Sequence, residues 1–63
     1  MENKVKEKRL ELKLTQEELA KEAGISRNVI IQIENDHDLN LTKSTMQSIA
    51  KALNSTVTQI FFF

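Results

Sequence analysis

Apolar residues recur along this chain at the three- and four-residue spacing of helices, and nowhere do they alternate with polar ones long enough to make a strand. Val5, Lys8, Arg9 and Leu12 stand at i, i+3, i+4 and i+7, so the first stripe is apolar at its ends and cationic in its middle. Leu19, Ala20 and Ala23 make a second stripe, and Ile30 with Ile33 a third. Met46, Ile49, Ala50 and Leu53 repeat the i, i+3, i+4, i+7 pattern, and Val57, Ile60 and Phe61 make a shorter stripe.

The polar residues between the stripes mark where helices begin and end. Thr15-Gln16-Glu17-Glu18 is a capping box, in which the Thr hydroxyl accepts from the third helical amide and the Glu reaches back to the Thr15 amide. Gly24 follows Ala23, where a left-handed residue ends a helix at little cost, and Ser26 offers the next N-cap. Asn35-Asp36-His37-Asp38 with Asn40 is a cluster of helix-ending and turn-forming residues, and Thr42 caps the helix after it. Asn54-Ser55-Thr56 closes that helix, and Thr56-Val57-Thr58-Gln59 is a second capping box. The spacing predicts helices near 3–13, 16–23, 27–34, 43–53 and 57–62. Helices under ~12–15 residues are marginal alone in water, so these must form by packing on one another.

Sixty-three residues leave room for one domain, 1–63, which excludes a large enzyme with its own substrate domain. With no Cys, no Pro and one Gly, neither disulfides nor thiolate-bound zinc can hold the fold, and apolar packing must do so. Nine Lys and Arg balance nine Asp and Glu, so binding of a polyanion must come from local placement of charge. No apolar run reaches the ~18 residues of a membrane span, and Met1-Glu2-Asn3-Lys4 has no apolar signal region behind it. A cytoplasmic protein is expected.

The stretch from Leu14 to Asn35 is a capped helix, a tight Gly turn and a second capped helix, the layout of a helix-turn-helix. Ala20 sits where the two helices approach, and its small side chain permits a close crossing. The sequence resembles the Cro/CI-type, or XRE-like, family of phage and bacterial repressors. The Thr-Gln-Glu-Glu-Leu-Ala run at 15–20, Gly-Ile-Ser-Arg at 24–27 and Ile-Glu-Asn at 33–35 carry the resemblance. It extends to Val5-Lys6 and Lys8-Arg9 before the motif and to Ile49-Ala50-Lys51-Ala52-Leu53-Asn54 after it, so it covers nearly the whole chain. It implies an all-α, compact five-helix repressor-like domain with the helix-turn-helix formed by helices 2 and 3. The function it implies is sequence-specific binding of double-stranded DNA by a transcriptional repressor, encoded by a bacterium or phage, that uses no cofactor.

At about 100° per residue, Asn28, Ile31 and Gln32 lie opposite the Ile30/Ile33 side of helix 3, with Arg27 on the flank of its first turn. A guanidinium and two amides on one exposed face suit the major groove, where Arg reads guanine and Asn or Gln reads adenine. The resemblance implies base contact by Arg27, Asn28 and Gln32. Ile31 departs from the family's usual polar residue, and it suits either a thymine methyl or a partner protein. The N-terminus of helix 2 favours an anion through its free amides and dipole. There the resemblance implies backbone-phosphate contact by Gln16, with Asn35 doing the same after helix 3 and Thr15 beside Gln16.

Arg9 lies on an apolar stripe and needs a partner. Family members with this Arg and the Glu at position 34 join them in an ion pair, and Arg9–Glu34 is read so. Phe61-Phe62-Phe63 are the chain's three aromatic residues. Phe61 completes the last stripe and is expected in the core. Phe62 and Phe63 point around the helix and are expected to pair two copies on a palindromic operator.

The charge distribution departs from the family. Residues 14–36 carry Lys21 and Arg27 against Glu17, Glu18, Glu22, Glu34 and Asp36, a net −3. Asp36-His37-Asp38 stands where many members have Gly and then a cation. Together with Ile31, this keeps open an alternative of a different class, a protein-interaction module of the same fold such as an antitoxin or partner-binding regulator. A further alternative is that these residues are the DNA-binding part of a longer regulator. His37 is the only His, with no second His and no Cys to complete a metal site or a nucleophile pair, so neither metal nor catalysis is expected.

Overall fold

Helices form where a side chain can relieve the free amides of a first turn, and four of the five starts do this with a hydroxyl. Thr15 Oγ1 accepts the Glu18 amide at 3.0 Å while Glu18 Oε1 accepts the Thr15 amide at 2.8 Å, and Thr56 with Gln59 repeats the box at 3.2 and 2.9 Å. Ser26 accepts the Val29 amide and Thr42 the Thr45 amide. The computed structural model describes residues 2–35 and 40–62. In chain order it has α1 (Val5–Glu11), α2 (Gln16–Ala23), α3 (Arg27–Glu34), α4 (Lys43–Ala52) and α5 (Val57–Phe61). The described residues contain no strand. The Asp36-His37-Asp38 cluster and Phe63 lie outside the described residues.

Three helices stop in the same way. Lys13, Gly24 and Asn54 have φ of 59°, 71° and 53°, in the left-handed region. In each case that residue's amide bonds back three residues and the next amide bonds back five, as in Leu14 to the Arg9 carbonyl, Ile25 to Ala20 and Ser55 to Ala50. This is the Schellman closure, which satisfies two orphan carbonyls at once. Leu14 and Ile25, each one residue past the turn, pack against the core.

The first helix is shorter than its apolar pattern predicts, running over Val5–Glu11 rather than 3–13. Asn3 lies before it, and its Oδ1 accepts the Val5 amide at 3.0 Å. At the other end Lys13 has already turned left-handed. The predicted fourth and fifth helices each end one residue early, at Ala52 and Phe61.

The core is made by the predicted stripes. Val5, Leu19, Ala20, Ala23, Ile30, Ile33, Ile49, Ala50, Leu53, Ile60 and Phe61 are buried, and Leu12, Met46 and Val57 pack against them in part. α2 packs on both α3 and α4, and α5 on α4. Ala20 is buried, its methyl taking little room where α2 crosses its neighbours. The Lys4 amide donates to the Ile60 carbonyl at 2.9 Å, which ties the start of the chain to α5. Burying Ile30 and Ile33 fixes how α3 is rotated, and so which of its side chains face outward.

Candidate nucleic-acid interface

α3 is capped by Ser26, two residues after the Gly24 turn, and its inward side is held by Ile30 and Ile33. Arg27 and Asn28 are exposed in its first turn, whereas Ile31 and Gln32 are half-buried further along. Asn35 is exposed at the C-cap, its backbone amide bonded to the Ile31 carbonyl. The outward face therefore presents its most accessible polar groups at the N-terminal end of the helix. A surface hollow of about 500 Å³ lies between α1 and α5 and has no α3 residue in its lining. The exposed Arg27 and Asn28 side chains make the outward face of α3 a ridge.

Beside this ridge stands the N-terminus of α2. The Thr15 carbonyl and hydroxyl oxygens take the Leu19 and Glu18 amides. The Gln16 and Glu17 amides are left without an acceptor among the described residues, pointing out of the first turn. Thr15 is exposed, and its hydroxyl oxygen is used as an acceptor, which leaves its proton to donate outward. Gln16 is half-buried, and its Nε2 donates to Glu34 Oε1 at 3.1 Å.

Under that amide lies a buried ion pair. Arg9 Nε donates to Glu34 Oε2 at 2.7 Å and Arg9 Nη2 to Glu34 Oε1 at 3.2 Å, while Nη1 donates to the Leu14 carbonyl at 2.7 Å. The two side chains are 9% and 3% exposed, which makes the attraction strong and the loss of either partner costly. Guanidinium geometry suits this arrangement, because its fork reaches both carboxylate oxygens and still has a nitrogen for a backbone carbonyl. No buried side-chain nitrogen or oxygen among the described residues lacks a hydrogen-bond partner.

Sequence patterning did not single out Asn3 or Leu14 as supports of this site. Asn3 Nδ2 donates to the Ile33 carbonyl at 2.9 Å, which holds the end of α3 from the chain's first residues, and the Leu14 carbonyl anchors Arg9. An Asn two residues before a predicted apolar stripe was the only available signal. Among the described residues, Leu10 and Phe62 are the exposed large apolar ones, at 56% and 61%. The exposed carboxylates of Glu17, Glu18 and Glu22 make the outer side of α2 acidic. No group of three or more metal-ligating side chains occurs among the described residues, and none of their helices is long and apolar enough to cross a membrane.

An all-helical fold in which one short helix presents a polar first turn to solvent while its last turn is bonded to the N-terminus of the helix before it defines a helix-turn-helix protein. A helix-turn-helix family model matches residues 5–60, and the chain belongs to that family, of the Cro/CI or XRE-like kind, whose members are DNA-binding transcriptional regulators. Among similar proteins is an uncharacterized HTH-type transcriptional regulator of Archaeoglobus fulgidus. It is 35% identical over 63 residues, covering 100% of this chain and 87% of the relative.

Proposed function

We propose that this protein is a sequence-specific double-stranded DNA-binding transcriptional repressor, acting in the cytoplasm, that lays α3 in the major groove. The observation that carries this reading is the outward first turn of α3, where Arg27 and Asn28 are both exposed while Ile30 and Ile33 are buried behind them. Arg27 and Asn28 read base edges, Gln32 extends the contact along the helix, and Ile31 meets a thymine methyl. Thr15, Gln16 and Asn35 hold the backbone on either side, with the free amides of α2 facing a phosphate.

The Cα trace spans 23 × 21 × 19 Å, less than the roughly 34 Å between major-groove half-sites one turn apart. One copy therefore reads one half-site, and two copies paired through Phe62 and Phe63 read a palindrome. The acidic outer side of α2 lowers affinity for the phosphate backbone, so binding is weak at high salt and depends on base contacts.

That same acidity, with the half-buried Ile31 on α3, favours a second reading in which the α3 face binds a protein partner. Selection of bound duplexes from a random pool, with gel shifts at low and high salt, separates the two. Enrichment of one palindromic sequence supports the DNA reading. No enrichment at any salt concentration overturns it in favour of the protein partner.

A further inference from the structure

We propose that Glu34 is a positioning residue for DNA binding, fixing the Gln16 amide so that its second N–H is already aimed at a backbone phosphate. This rests on the reading of Gln16 as a phosphate contact. Glu34 does more than close an ion pair, because its Oε1 accepts from both Arg9 Nη2 and Gln16 Nε2. A carboxylate oxygen only accepts, so it sorts the two ends of the Gln16 amide and turns the nitrogen inward. That nitrogen carries two hydrogens. One is used on Glu34, and the planar amide directs the other away from the carboxylate, at a half-buried residue in the first turn of α2.

The anchor is rigid in turn. Glu34 is held through both oxygens by Arg9, and Arg9 by the Leu14 carbonyl, so a continuous set of bonds runs from α1 through the end of α3 to the first residue of α2. Arg9 also cancels the Glu34 charge, without which a carboxylate this close would repel a phosphate. A free Gln side chain would lose its rotamer freedom on binding, a cost of about three- to tenfold in affinity that prior ordering removes.

The test is a double-mutant cycle read by fluorescence anisotropy on two duplexes, one selected from the random pool and one unrelated. Its variants are Gln16→Ala, the paired replacement Arg9→Met/Glu34→Leu, which keeps the buried volume filled, and the triple variant. Gln16→Ala should weaken binding of both duplexes by about tenfold in the parent. In the paired background its effect should be smaller by about three- to tenfold. Side-chain amide relaxation of Gln16 without DNA should show an ordered NH2 group in the parent and a mobile one in the paired variant. Equal losses in both backgrounds, or equal amide mobility, overturn the proposal. A Gln16→Ala variant with undiminished affinity, where Arg27→Ala is weakened, overturns it while leaving the DNA reading intact. If the parent binds no duplex the DNA reading itself fails, and the relaxation measurement still decides whether Glu34 orders Gln16.

Discussion

Arg9 and Glu34, twenty-five residues apart, meet side-on through two hydrogen bonds of 2.7 and 3.2 Å, and both side chains are almost wholly out of water. The pair joins the last turn of α1 to the last turn of α3. Removing the carboxylate by Glu34→Ala leaves the guanidinium buried with only the Leu14 carbonyl, and the expected loss is about 3–5 kcal/mol. Arg9→Met/Glu34→Leu should recover most of it, because apolar groups of similar volume need no partner. Urea denaturation midpoints check both, and an unshifted midpoint for Glu34→Ala would mean the pair contributes nothing.

Lys13 and Gly24 close helices in the same left-handed conformation, but only one of them is suited to it. A residue with a Cβ loses roughly 1–2 kcal/mol there, and glycine's extra unfolded-state entropy offsets about half of the gain from replacing it. Lys13→Gly should therefore stabilise by about 0.5–1 kcal/mol. Gly24→Ala should destabilise by about 1 kcal/mol, although a Cβ at Gly24 would meet no atom within 4 Å. The cost there comes from the Cβ crowding its own backbone at positive φ and not from a clash with a neighbouring element. Thermal unfolding of the two variants should shift in opposite directions.

Arg27→Ala and Asn28→Ala should leave helical circular dichroism unchanged, since both side chains are exposed on the side away from Ile30 and Ile33. Each should lower discrimination between the selected duplex and an unrelated one by about 1–3 kcal/mol. Unchanged discrimination in both would remove α3 as the reading element.

Phe62 is 61% exposed at the end of α5, while Phe61 beside it is 4% exposed and packed in the core. Two copies that bury Phe62 against each other should sediment as a dimer at high micromolar concentration, and Phe62→Ser should shift them to monomer. Phe61→Ser, by contrast, should unfold the domain, because it opens the core and buries an unpaired hydroxyl. A parent that is monomeric at that concentration, with Phe62→Ser indistinguishable from it, would rule out this pairing.

Much of the fold was legible because its signals are local. Thr15, Ser26, Thr42 and Thr56 cap helices through bonds to residues three positions on, and the buried stripes reflect about 3.6 residues per turn. Gly24 marks its own turn, since glycine takes the left-handed conformation without strain. Those signals place α2 and α3 with their exposed Arg27 and Asn28, and the family's pattern paired Arg9 with Glu34. Lys13 carries no comparable mark, because its left-handed turn is imposed by Leu14 seating against the core and not by any preference of lysine. Asn3 meeting the Ile33 carbonyl thirty residues on, and Gln16 meeting Glu34 eighteen residues on, also lay beyond sequence patterning. Periodicity gives the face a side chain occupies, but whether two such side chains come within 3 Å depends on the angle and distance at which whole helices pack. Only the tertiary structure decided that Gln16 gives one amide hydrogen to Glu34.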